Sequence, residues 1–129
     1  MSSTNPPKPT EAELEILQVL WAHGPSTVRF VNETLAKHKE VGYTTTLKIM
    51  QIMTDKGLVK RNEANRTHIY EANVSEEVMQ KHLLDKFMDM AFRGSAMKLV
   101  MQALGNHKTS KEDLAQIREL LDKMEGGEK

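Results

Sequence analysis

The chain contains no cysteine in 129 residues, which excludes disulfides, thiolate zinc sites, iron–sulfur clusters and cysteine nucleophiles together. The same absence fits a reducing cytoplasm, the expected location. No stretch approaches the roughly 18 consecutive apolar residues of a membrane span. Met1 to Thr10 is polar and proline-bearing, so neither a signal peptide nor an anchor is expected there. Catalytic signatures are missing too. There is no glycine-rich phosphate loop, no paired catalytic carboxylates and no Ser-His-Asp order. His23, His38, His68, His82 and His107 are scattered without an H-x₃-H pair. Surface and helix-cap roles fit them better than metal ligation, so neither cofactor nor metal nor enzymatic activity is expected. Net charge is zero, which taken alone argues against a polyanionic partner.

The distribution of charge says otherwise. Between Ser26 and Arg66 eight basic residues face four acidic ones, whereas from Val74 onward nine basic residues meet ten acidic ones. A locally basic segment in a neutral chain is an electrostatic footprint for nucleic acid or a solvated mixed surface.

Local signals divide the chain. Residues 1–9 read as a flexible arm, because Pro6, Pro7 and Pro9 exclude regular structure. Thr10 with Glu13 forms a capping box. Leu14, Leu17, Val19, Leu20 and Trp21 then give the apolar face of a first helix, ended by His23-Gly24-Pro25. Ser26 is the expected N-cap of a second helix with Val28, Val31, Leu35 and Ala36 inward. A third begins at Thr44 or its neighbour, turns Leu47, Met50 and Met53 inward, and closes at Lys56-Gly57. The period then changes to β-prone Leu58–Arg61 and Thr67–Ala72, a hairpin with Asn65 as its positive-φ turn residue. Three short helices followed by a hairpin is the order of a winged helix-turn-helix, assigned to residues 10–74.

After Ser75 the pattern is helical again, with breaks at Arg93-Gly94-Ser95 and Gly105-Asn106 and an end at Gly126-Gly127. This region, residues 75–125 before a short 126–129 tail, has no obvious core of its own. Amphipathic helices of this kind bury their stripes against a partner, and a symmetric dimer is the commonest one. The expected dimer residues are Leu83, Leu84, Phe87, Met88, Met97, Val100, Met101, Leu104, Leu114, Ile117 and Leu121. The methionines act as adaptable filler. The fold class is therefore mainly α with a small β-hairpin, a winged helix-turn-helix followed by a helical dimerisation tail.

Candidate contacts to DNA follow from this order. Thr44, Thr45, Thr46, Lys48 and Gln51 address base edges or phosphates from the third helix, or else cap it and face solvent. Tyr43 gives its hydroxyl to a phosphate or packs under the helix. Ser26, Thr27 and Arg29 open the second helix, where free N–H groups favour a phosphate; for Ser26 simple capping competes. Arg66 at the wing tip is the candidate for phosphate or minor-groove contact, or else a solvent-exposed turn arginine, and only one of Lys60 and Arg61 points to DNA.

Several of these segments resemble one family. Pro9-Thr10-Glu11-Ala12-Glu13-Leu14-Glu15-Ile16-Leu17, with Leu20-Trp21, is similar to the opening of the penicillinase-repressor family. That family contains repressors of β-lactamase, methicillin resistance and copper transport. Tyr43–Met50 resembles its recognition helix, Asp55-Lys56-Gly57-Leu58-Val59 its helix-to-wing junction, and Arg66–Tyr70 its wing strand. The resemblance implies a homodimeric transcriptional repressor on an inverted-repeat operator. It also implies release through a membrane sensor whose protease cuts the helical tail. Copper-sensing relatives carry C-terminal cysteine motifs, which are missing here. The asparagine–phenylalanine pair cut in the resistance repressors aligns near Gln102-Ala103, so the scissile pair is not preserved. A ligand-responsive regulator and a winged helix used for protein contacts stay open on the same fold.

Overall fold

The computed structural model describes residues 6–64 and 66–126. The elements are α1 (Glu11–His23), α2 (Val28–Ala36), α3 (Tyr43–Lys56), β1 (Val59–Asn62), β2 (Ile69–Ala72), α4 (Glu76–Phe92), α5 (Ala96–Asn106) and α6 (Lys111–Gly126). They fall into two compact units that divide between Asp85 and Lys86, within α4. The expected positive φ at Asn65, the first five residues of the arm and residues 127–129 of the tail lie outside the described residues.

In the first unit, side chains start the helices and glycines stop them. Thr10 Oγ1 accepts from the Glu13 amide at 3.1 Å and Glu13 Oε1 accepts from the Thr10 amide at 2.9 Å, the expected capping box. Glycine is needed after α3: Gly57 sits at φ 85°, in the left-handed region, so the chain leaves the helix and enters β1 within two residues. One start position is corrected and one is met, α3 starting at Tyr43, the neighbour of Thr44. Thr27, not Ser26, caps α2, its Oγ1 accepting from the Phe30 amide at 3.0 Å. Ser26 is held extended instead, because its N–H donates to Tyr70 O at 2.9 Å and its C=O accepts from the Tyr70 amide at 2.8 Å. Gly42 occupies the N-cap of α3 without a side-chain cap, which puts Thr44 inside the first turn rather than at the cap.

β1 and β2 pair antiparallel, Val59 with Ala72 and Arg61 with Tyr70. The core gathers Ile16, Leu17, Val19 and Leu20 of α1, Val28 and Val31 of α2, Met50 and Met53 of α3, Leu58, Val59, Tyr70 and Met79. Ile16, absent from the expected face of α1, is only 1% exposed. Ala36, expected inward, is exposed. Trp21 Nε1 donates to Val74 O at 2.9 Å, fastening α1 to the segment that follows the wing.

Glu13 is 4% exposed yet charged. Burial pushes its carboxyl up, but the Lys56 ammonium at 2.7 Å, with the Thr10 contacts, outweighs burial and holds it below the ordinary carboxylate value. Lys56 Nζ also reaches the Lys8 carbonyl at 3.4 Å, so one cation joins the end of the arm, α1 and the end of α3. Because the folded-state value is depressed, this contribution is present above the unfolded value and is lost as pH falls through the folded one. Glu13→Gln should therefore lower stability at neutral pH by about 1.5–3 kcal/mol, the range for a hydrogen bond to a charged group. The loss should shrink when melting is measured at progressively more acid pH.

The second unit is built differently. Ser95 and Ser110 cap α5 and α6, accepting from the Lys98 and Asp113 amides at 3.1 and 2.9 Å. Phe87 and Phe92 meet edge to face at 5.7 Å. α5 runs through Gly105 to Asn106 rather than breaking there. Among the described residues from Lys86 onward none is buried. Met97 is 70% exposed, Met101 68% and Phe87 47%, whereas a folded unit normally hides such side chains, each worth about 1.5–3 kcal/mol on burial.

Candidate nucleic-acid interface

The exposed side of α3 is set by its core side. Met50 and Met53 are fully buried and Leu47 is half-buried, so the helical period turns Thr44, Thr45, Lys48, Gln51 and Ile52 outward on neighbouring turns. Thr46 is corrected. It is fully buried, and its Oγ1 accepts from Asn32 Nδ2 at 3.0 Å. Asn32 Nδ2 also donates to Val41 O at 3.0 Å, so one α2 amide fixes both the loop before α3 and its first turn. Ser26 is corrected likewise. Besides its backbone pairing it is 7% exposed, and its hydroxyl donates to Gly24 O at 2.8 Å, leaving it no free group for a phosphate.

The remaining candidates converge. A groove of about 530 Å³ is lined by Thr27, Val28 and Arg29 of α2, Tyr43 and Leu47 of α3, and Arg66, Thr67, His68 and Tyr70 of the wing. The Arg29 guanidinium lies 5.7 Å from the centre of the Tyr43 ring, a cation–π pair that holds the ring while leaving the residue 44% exposed. Among the described residues, the groove lining contains two arginines and a histidine and no carboxylate. On the hairpin, Lys60 pairs with Glu71 at 3.7 Å. Arg61 is held by the Tyr70 hydroxyl and by Glu63, both of which raise its pKa further. These two cations are partly neutralised within the wing, whereas Arg66 opens onto the groove.

The sequence did not single out Asn32, His68 or Ile52. Asn32 bonds partners 9 and 14 residues away, which leaves no local mark. His68 was read only as one of five surface or cap histidines and as part of the wing-strand run. Ile52 was marked by the helical period, which leaves it outside the inward set. In the tail, Leu84, Phe87, Met97, Val100, Met101, Leu104 and Leu121 are exposed, while Met88, Leu114 and Ile117 are half-buried. Leu83 is half-buried and packs against the winged-helix core.

A family model described as Penicillinase repressor matches residues 9–123. The penicillinase repressor of Bacillus licheniformis is 22% identical over 116 residues, covering 90% of this chain and 91% of its own. The transcriptional regulator BlaI of Mycobacterium tuberculosis is 24% identical over 119 residues, covering 91% of this chain and 85% of its own. The solution structure of the DNA-binding domain of the repressor BlaI matches at a TM-score of 0.51 and 24% identity, over 59% of this chain and 93% of that domain. That likeness agrees with three helices and a hairpin as a winged helix. Since the family model spans the chain from the proline before the first cap into the last helix, the chain belongs to the penicillinase-repressor family.

Proposed function

We propose that this chain is a transcriptional repressor that binds an inverted-repeat DNA operator as a homodimer and blocks transcription. The observation that carries this is the acid-free groove uniting α2, α3 and the wing beside the outward face of α3. α3 enters the major groove, where Thr44, Thr45, Lys48 and Gln51 meet base edges and phosphates. Thr27, Arg29, Tyr43 and Arg66 grip the flanking backbone. The winged helix of residues 10–74 takes the start of α4 into its core through Met79 and Leu83. The dimer forms through the apolar residues of the tail that remain uncovered, Leu84 to Leu121, consistent with a second unit that buries nothing by itself.

Repression ends when that tail is disabled. A membrane sensor protease is the partner the family resemblance suggests. Gln102 and Ala103 lie within α5, where the backbone is helical and the side chains exposed, so a cut there requires the helix to open first. The operator-binding reading is tested by titrating the chain against selected genomic duplexes at several salt concentrations. Two half-sites, each with Lys48, Arg66 and helix N-termini on phosphates, neutralise about six phosphates. The slope of log affinity against log salt should then be about −5 or steeper. A slope near zero would overturn DNA binding and leave a protein-contact module.

A further inference from the structure

We propose that the groove between α2, α3 and the wing is a seat for one phosphodiester of the duplex backbone, and that His68 is a protonation-dependent member of it. This rests on the DNA-binding reading above and adds a residue and a pH linkage that the reading does not contain.

Two arginines from different elements, Arg29 and Arg66, share the groove with His68, Tyr43 and Thr27. The charged and titratable groups lining it are thus the guanidinium of α2, the phenol of α3, and the guanidinium, imidazole and Tyr70 phenol of the wing. No carboxylate is among them. The carboxylates of the hairpin, Glu63 and Glu71, are paired with Arg61 and Lys60. A phosphodiester brings one negative charge to a groove lined by two fixed positive ones, and an imidazolium beside it adds a third cationic donor. A seat of this kind reads no base, so it acts on any duplex. His68 is exposed, which leaves its ring accessible to backbone that the wing approaches.

The consequence is linkage between protons and DNA. Binding should take up a fraction of a proton per protomer, at most about half, within the range of about pH 5 to 8 in which an imidazole changes charge. Each additional phosphate neutralised at 0.1 M salt strengthens binding by about eightfold, and steepens the salt slope by about 0.9.

The test uses the full chain and a fluorescent 30-base-pair duplex of random sequence, titrated at pH 6 and pH 8 and at several salt concentrations. Wild type should bind about eightfold tighter per protomer at pH 6 than at pH 8, with a steeper salt slope at pH 6. His68→Gln should bind at both pH values as wild type does at pH 8. His68→Lys, a cation at both, should bind at both as wild type does at pH 6, and it keeps the test decisive if the glutamine variant melts early. The other four histidines are present in every variant, so any pH dependence they cause survives both substitutions. If His68→Gln retains the wild-type pH profile, the seat does not include His68 and the proposal is overturned. If wild type fails to bind any duplex at either pH, the DNA-binding reading itself has failed, a result distinct from tight binding that ignores pH.

Discussion

A fragment ending at Asp85 should fold as a monomeric winged helix and bind an operator about 10²–10⁴-fold more weakly than the full chain, because it loses the effective concentration of a linked second half-site. A fragment ending at Val74 should do worse in a different way. Met79 is 1% exposed in the core of the first unit and Leu83 packs beside it. A cut at the apparent sequence boundary therefore takes part of the core away with the tail. Emptying a buried methionine site costs about 2–5 kcal/mol, a large fraction of the roughly 5–15 kcal/mol that holds a domain of this size. Sedimentation and thermal melting of the two fragments separate these effects. The longer fragment should be monomeric with a cooperative transition near that of the full-length winged helix. The shorter one should melt well below it. A stable dimer of the longer fragment would place the dimer contacts in the winged helix and overturn the assignment to the tail.

Substitutions at three positions should give three different outcomes. Thr45→Ala removes an outward side chain of α3, and should cost about 1–3 kcal/mol on the best operator while relaxing preference at one base pair. Arg66→Ala should weaken cognate and scrambled duplexes alike and flatten the salt slope by about one for each phosphate left without its cation. Thr46→Val should act through the fold. It leaves the half-buried Asn32 amide with Val41 O alone, at a cost of about 0.5–1.5 kcal/mol, the net worth of a typical hydrogen bond. Fluorescence anisotropy on matched and scrambled duplexes, with melting curves for each variant, distinguishes readout, anchoring and support. Should Thr45→Ala and Arg66→Ala both alter only the melting temperature, the exposed face of α3 and the wing tip are not the contact surface.

What could be read from the residues alone was whatever acts within about one helical turn. The Thr10–Glu13 box joins residues three apart, so residue type and spacing announce it. The inward period of α3 and the switch to strand after Gly57 are equally local, and together they expressed the winged-helix order before any contact was known. Hydrogen bonds and packing across the fold decided the rest. Ser26 looked like a cap by residue type, yet its backbone is claimed by Tyr70, 44 positions later. Thr46 stood among exposed threonines, yet Asn32 draws it inward. Glu13 and Lys56 were ordinary surface charges until the ends of α1 and α3 met, 43 residues apart. Leu83 and Met79 belonged to a tail stripe until α4 began against the core. In each case the residue kept its intrinsic preference, and a partner supplied only by the fold outweighed it.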